Sequence, residues 1–271
     1  MKDNTPWQLR MFQKTLKKKL KLKRLRTHIE PLNKDDSCLL ITCGENNGAL
    51  NHHLRAIGGR WTWAELEENN IQEIEELLGE PVVKLDKSTC NLPFPDISFD
   101  YVLAVDCHEH LVDPHPFNLE LARVTKPGGR VVVSVPNGDE NKLAVRIKRL
   151  LGMTEKVYGH VVLGYDIPAL RTMMERSNLK LCSGSSYSKF FSEILELCIN
   201  FAYVKILSRK SSTQGEEGTI VPTTKEQLKS VSKTYKIYSL VYPIFWTISQ
   251  LDALLFFTTG YAVVVEARKE A

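Results

Sequence analysis

Between Cys38 and Val135 short apolar runs alternate with stretches of helical periodicity, and this alternation narrows the choice of fold more than any other feature. Cys38–Thr42, Arg60–Ala64, Val82–Leu85, Phe99–Val105 and Arg130–Val135 read as strands. Between them lie a helix through Leu50, Leu54 and Ala56, a helix over Glu68–Leu78, and one around Phe117–Val124. Strands alternating with helices predict an α/β protein with a sheet covered by helices on both faces. Right-handed crossovers then gather the strand C-termini on one edge, where ligands bind in such folds. After Pro136 the pattern continues with helices at Lys142–Leu151 and Pro168–Ser177, a strand at Leu179–Ser185 and a last strand at Tyr261–Ala267, seven strands in all.

Charge is divided unevenly. Residues 1–34 hold 11 Lys and Arg against 2 Asp and Glu, so the net charge of +4 belongs to this arm and the rest is mildly acidic. Trp7 to Ile29 reads as one helix, with Leu9, Phe12, Leu16 and Leu20 at three- and four-residue spacing and Lys14, Lys17, Lys18, Lys21 and Arg24 on other faces. Such a helix packs on the body, lies on an anionic membrane surface or binds phosphate. Cys38, Cys43, Cys90, Cys107, Cys182 and Cys198 form no C-x-x-C pair and no zinc-finger spacing, and they read as reduced thiols of a cytoplasmic protein. His52-His53 has no partner at ligand spacing and reads as surface, so no metal centre is expected. The N-terminus lacks the architecture of a signal peptide.

Three segments carry a resemblance. They are Asn91-Leu92-Pro93-Phe94-Pro95-Asp96-Ile97-Ser98-Phe99-Asp100, then Glu109-His110-Leu111-Val112-Asp113, then Arg123-Val124-Thr125-Lys126-Pro127-Gly128-Gly129-Arg130. Pro127-Gly128-Gly129 is a turn, with proline presetting φ and glycine accepting positive φ ahead of a β-branched strand. Asp100, at the start of an apolar strand, needs backbone donors, and Asp96 and Asp113 read as turn residues. In this order and separation the three segments resemble the class I S-adenosylmethionine-dependent methyltransferases of the ubiquinone and small-molecule type, over about Cys38–Asn137. The resemblance implies a doubly wound, mostly parallel, Rossmann-like seven-stranded sheet with S-adenosylmethionine as cofactor.

The resemblance also assigns a cofactor site. The family's glycine-rich turn falls on Thr42-Cys43-Gly44-Glu45-Asn46-Asn47-Gly48. Here Gly44 matches a family glycine, Thr42 and Asn46 replace two others, and Leu40 stands where the family has an acid. Asparagine tolerates left-handed φ, so the turn can still form. Glu65, after the second strand, is expected to accept from the ribose hydroxyls, and Asp86 from the adenine amine. Asp106 and Cys107 are expected to line the methionine side. A dinucleotide-binding G-x-G-x-x-G is absent. Methyl transfer is an in-line displacement that rests on positioning, with a base where the acceptor must lose a proton. His110, His160 and Tyr158 are the candidates for that role, with His108 beside them.

The chain thus divides into a basic amphipathic helix (1–34), a methyltransferase core (35–187), an apolar helical insertion or cap (188–259) and a last core strand (260–271). The insertion holds an apolar helix at Phe191–Leu207, a polar linker at Ser208–Thr224 and the nearly continuous apolar stretch Tyr235–Phe257. That stretch is long enough to span a bilayer, but Pro243, Gln250 and Asp252 interrupt it, and a sheet strand follows at once. It reads as a cap, or as an interfacial segment that with the N-terminal helix makes a peripheral membrane contact. The expected activity is methyl transfer to a small, hydrophobic or lipid-like acceptor. An inactive methyltransferase-fold scaffold is the alternative. A nucleic-acid methyltransferase ranks third, because the body is acidic and no base-flipping motif is present.

Overall fold

In the computed structural model, residues 5–153, 159–208, 224–230 and 232–270 are described. Seven strands form one sheet: β1 (Ser37–Thr42), β2 (Arg60–Glu65), β3 (Val82–Lys84), β4 (Phe99–Val105), β5 (Thr125–Pro136), β6 (Leu179–Tyr187) and β7 (Ala262–Lys269). Their order is β3-β2-β1-β4-β5-β7-β6, and only β7 runs antiparallel to its neighbours. The predicted doubly wound sheet is therefore the observed one, with the order reversing between β1 and β4.

Side-chain alternation explains the two cores. Leu39 and Ile41 face one side with Phe117, Leu121, Val131, Val133, Leu170 and Met174. Leu40 faces the other with Leu25, Ile29, Leu54, Trp63, Ile74, Leu103 and Val264. Because both faces are buried, the central strands are continuous apolar runs rather than alternating ones. The helices over these faces include α3 (Ala49–Arg55), α4 (Ile71–Leu78), α5 (His115–Val124), α6 (Leu143–Leu150) and α7 (Ile167–Glu175).

The N-terminal helix is two helices, α1 (Trp7–Gln13) and α2 (Leu16–Ile29), parted at Lys14 and Thr15. Leu16, Leu25 and Ile29 bury α2 against the sheet, while Trp7, Met11 and Phe12 bury α1. A single straight helix would not seat both sets. Strand β5 also begins earlier than its apolar run. It pairs at Thr125 with Phe99 and resumes at Arg130 with Tyr101, so Pro127-Gly128-Gly129 forms a bulge inside the strand, with Gly128 at φ +75°. Asp100 finds the donors it needs at Ser37 (N–H 2.9 Å, hydroxyl 2.6 Å) and at Lys126 (2.8 Å).

The insertion brings α8 (Phe190–Ser208), α9 (Lys225–Ser230) and α10 (Ser232–Ser249), followed by a 3-10 turn over Gln250–Leu255. The polar linker falls almost entirely outside the described residues. Asp252, which interrupts the apolar stretch, caps α8: its carboxylate accepts from the backbone of Lys189, Phe191 and Ser192 at 2.8–3.3 Å. Tyr235 donates to the Arg10 carbonyl, and the Lys19 ammonium lies 4.2 Å over the Trp246 ring and hydrogen-bonds Tyr242, so α10 packs on the basic arm.

Candidate active site

The turn after β1 is held from within. Glu65, fully buried at the end of β2, accepts from the Thr42 hydroxyl at 2.6 Å, the Gly44 N–H at 2.9 Å and the Glu67 N–H at 3.0 Å. Thr42 accepts in turn from Asn46, whose amide also donates to Asn51 at 2.6 Å. The two residues that replace family glycines therefore build a buried polar network that fixes the turn by side chains. Gly44 keeps its positive φ of +76°, and Gly48, at φ +88°, lies so close to α4 that an added Cβ would stand 3.1 Å from the Ile74 Cα.

Around this turn the expected cofactor residues take different places. Gly44 is at the turn itself. Asp106, after β4, is held at φ +54° and forms an ion pair with Lys21 of α2. Glu65 points into the turn. Asp86 is exposed, and its carboxylate accepts from the backbone and hydroxyl of Ser88 at 2.8 and 2.7 Å, which lower its pKa. Cys107 turns its thiol inward to the Ile41 and Val105 carbonyls, and burial pushes that thiol's pKa well up.

Two connected spaces line this edge. A cleft of about 20 Å³ lies against the turn, walled by Phe12, Lys18, Thr42, Asn47 and Asp106. Beyond it a cavity of about 120 Å³ opens between the strand ends, α2 and the insertion, bounded by Glu45, Glu109, His160, Tyr187 and Glu193. Lys18 donates to the Glu45 carbonyl at 2.8 Å, and Lys17 and Lys148 both pair with Glu193. Burial lowers Lys18 to about 8. For Glu193 burial acts upward, but Lys148 and Lys17 more than offset it and hold the carboxyl at about 2.

His110 and His160 come together, ring centroids 4.8 Å apart, although 50 positions separate them in sequence. Burial holds both below the ordinary histidine range, His160 at about 4. Glu109 is fully buried beside them with no partner for either oxygen, and burial together with Asp106 raises its pKa. Its position next to His110 at the end of β4 was the sequence signal for it. His108 is buried against Asn118 at 2.8 Å, away from the cavity. Tyr158 lies outside the described residues. His53, expected at the surface, is half-buried with its ring 4.4 Å from Phe12, because α1 covers α3.

Comparison with known proteins bears on the fold. Residues 39–133 match the family model described as methyltransferase domain. The chain superposes on phosphoethanolamine N-methyltransferase 2 of Haemonchus contortus, solved with S-adenosyl-L-methionine, with TM-score 0.53 at 15% identity, covering 93% of this chain and 52% of that one. This is the class I methyltransferase fold. The segment that the family model matches, residues 39–133, holds β2 to β4 and most of β1 and β5. Among curated relatives, the demethylmenaquinone methyltransferase of Tropheryma whipplei is 51% identical over 43 residues, 16% of this chain and 18% of that one. The probable chloroplastic tocopherol O-methyltransferase of Oryza sativa subsp. japonica is 36% identical over 67 residues, 25% of this chain and 18% of that one. The chain thus matches less than a fifth of the length of each of these two relatives.

The residues at the turn fit the methionine end of S-adenosylmethionine. Glu45 and Asp106 offer carboxylates for its ammonium, Lys18 and Lys21 offer ammonium groups for its carboxylate, and the NH2 of the Asn47 amide, whose oxygen accepts from the Ala49 N–H, is buried with no partner. In the present arrangement the protein's own charges satisfy one another across the cleft. The two spaces, about 120 and 20 Å³, are smaller than the roughly 300 Å³ at which cofactor-sized pockets begin.

Proposed function

We propose that this protein transfers a methyl group from S-adenosylmethionine to a small apolar acceptor. The observation that carries the reading is the convergence of Glu45, Asp106, Glu109 and His160 on one cavity at the C-terminal edge of a methyltransferase sheet. When bound, S-adenosylmethionine supplies a sulfonium methyl open to in-line displacement. Asp106 and Glu45 hold its ammonium and Lys18 and Lys21 its carboxylate, which fixes the donor end. Glu65 keeps the turn in shape, and Asp86 stands at the adenine side. Glu109, His110 and His160 face the acceptor, where a hydroxyl or amine must be oriented and relieved of its proton.

The insertion supports an apolar acceptor. Leu240, Leu254, Phe256 and Phe257 are 65–83% exposed along α10 and the turn after it, beside the lysine-rich α2. Among the described residues no helix is long and apolar enough to cross a membrane. We infer that this face rests on an anionic bilayer surface with its apolar side chains among the acyl chains, so that a lipid-like acceptor reaches the cavity from the membrane. The quinone and tocopherol chemistry in the names of the two relatives supports an acceptor of this kind.

Calorimetric titration of S-adenosylmethionine and S-adenosylhomocysteine tests the first part. Micromolar binding is expected, weakened at least about tenfold in Asp106→Asn, the loss of one charged hydrogen bond. A folded protein that binds neither would be an inert scaffold. Sedimentation with anionic vesicles at low salt tests the second part, and binding unaffected by Phe256→Asp with Phe257→Asp would remove the membrane contact.

A further inference from the structure

Glu109, His110 and His160 meet where Glu109 and His160 line the cavity, and their ligand atoms all lie within 4.8 Å of one another. Three features prepare them. The Glu109 carbonyl accepts from the backbone N–H groups of Val161 at 2.8 Å and Val162 at 3.3 Å, which ties the loop carrying His160 to the turn carrying Glu109 and His110. The His110 ring donates from Nδ1 to the Gly159 carbonyl at 3.1 Å. That bond fixes the tautomer and leaves the Nε2 lone pair free, and Nε2 is buried without a partner. Finally, both Glu109 oxygens are buried without a donor from any other residue, on a residue with no exposed surface.

A buried carboxylate with no donor is costly in either protonation state. A buried imidazole whose outer nitrogen donates to a carbonyl has the arrangement that orients histidines on metals. We propose that Glu109, His110 and His160 form a binding site for a divalent transition-metal cation of the zinc or cobalt class, with its open coordination position facing the cavity. Two imidazoles and one carboxylate with an open position is a donor set of catalytic rather than closed structural sites. With bonds of about 2.1 Å, tetrahedral ligands stand roughly 3.4 Å apart, so metal binding draws the three groups together, and His160 lies outside regular secondary structure. The open position faces Glu45 and Asp106 across the cavity, with Lys17, Lys18 and Lys21 as the opposing cations. It suits an oxygen of the acceptor, and this last point rests on the methyltransferase reading above. The sequence offered no metal-binding spacing because the ligands come from two loops far apart in the chain.

The test is titration of the metal-free full-length protein with Co²⁺, followed by visible absorption, with Zn²⁺ as competitor. One Co²⁺ per chain is expected, with the intense visible bands of low coordination number, displaced by Zn²⁺. Glu109→Gln and His160→Ala should each weaken binding by at least about tenfold, the least that even outer-sphere changes give. His52→Ala and Cys182→Ala should bind as the wild type does. Circular dichroism confirms that each variant is folded. Three results would overturn the site: no spectral change in folded wild type at large excess of Co²⁺, binding that survives both ligand substitutions, or a thiolate charge-transfer band. Calorimetry with S-adenosylmethionine on the same metal-free protein separates the two readings. Metal binding without cofactor binding removes methyl transfer and keeps the metal site, and the reverse result removes only the metal site.

Discussion

The sheet's C-terminal edge buries two glutamates completely, Glu65 after β2 and Glu109 after β4, and their surroundings are opposite. Glu65 has three donors within 3.0 Å, from Thr42, Gly44 and Glu67. Glu109 has none on either oxygen. One carboxylate is consumed in holding the backbone of the turn after β1, whereas the other lies on a cavity shared with Glu45, Asp106 and His160 with its binding capacity unspent. Buried polar groups are overwhelmingly satisfied in folded proteins, so an orphaned carboxylate calls for an explanation, and a bound ion is one. The difference teaches that burial alone does not separate structural from functional acids. The donor count does.

The largest effect expected from this contrast is on stability. Glu65→Ala strands a hydroxyl and two backbone N–H groups in the interior, at about 1–3 kcal/mol each, and should cost roughly 4 kcal/mol in urea denaturation. A loss under about 1 kcal/mol would mean that the turn is held by Asn46 and Asn51 and that Glu65 is free for the ribose.

Acid unfolding sharpens the comparison with a third buried glutamate. Lys148 and Lys17 depress Glu193 from 4.5 to about 2. A depressed folded pKa gives stability that is present above the unfolded value and lost as pH falls through the folded one. The advantage of wild type over Glu193→Gln, about 3 kcal/mol at pH 7, should therefore shrink from pH 4.5 downward and vanish near pH 2. For Glu65 the sign reverses. Burial raises its pKa against the opposing hydrogen bonds, so the folded state binds the proton more tightly, and wild type should gain on Glu65→Gln as pH falls. Parallel pH profiles for the two variants would break the distinction.

A smaller change isolates the network beneath the turn. Thr42→Val keeps the shape of the side chain but removes the donor to Glu65 and the acceptor for Asn46. It should cost about 1–2 kcal/mol, and it should weaken the effect of Glu65→Ala in a double-mutant cycle, because the two residues share one bond.

What could be read from the sequence divides along the same line. Strands such as Phe99–Val105 and Arg60–Glu65 were legible to within a residue because both faces of the sheet are buried, and long apolar runs with β-branched residues leave few alternatives. The bulge at Pro127-Gly128-Gly129 was read as a turn because a turn and a bulge use the same residues, and only the register across Phe99 and Tyr101 separates them. The break at Lys14–Thr15 was hidden because the three- and four-residue spacing of Leu9, Phe12, Leu16 and Leu20 runs straight across it. Sequence position put Glu65, Asp86, Asp106 and Cys107 at the C-terminal ends of β2, β3 and β4, where they stand, but could not say which way a side chain points. Lys18 and Lys21 look like a solvated face in sequence, yet they reach into the cleft beside the turn after β1, since α2 crosses the strand ends. The pairing of His110 with His160 depends on a loop returning to β4 and has no local signature.

The smallest expected effect on stability is also the most informative. Glu109→Gln removes a buried carboxyl that makes no hydrogen bond, so no partner is left unsatisfied, and the neutral amide is cheaper to bury than an ionised acid. Thermal and urea unfolding of the metal-free variant should therefore match wild type to within about 1 kcal/mol, or exceed it. Natural proteins retain such a group where function demands it, at the expense of stability. If Glu109→Gln instead destabilised the metal-free protein by several kcal/mol, the carboxylate would have to be held by donors such as buried water, and Glu109 would join Glu65 as a structural acid. If stability is unchanged while Co²⁺ binding disappears, the orphaned carboxylate is explained by the ligand it awaits, and the two buried glutamates part into scaffold and site.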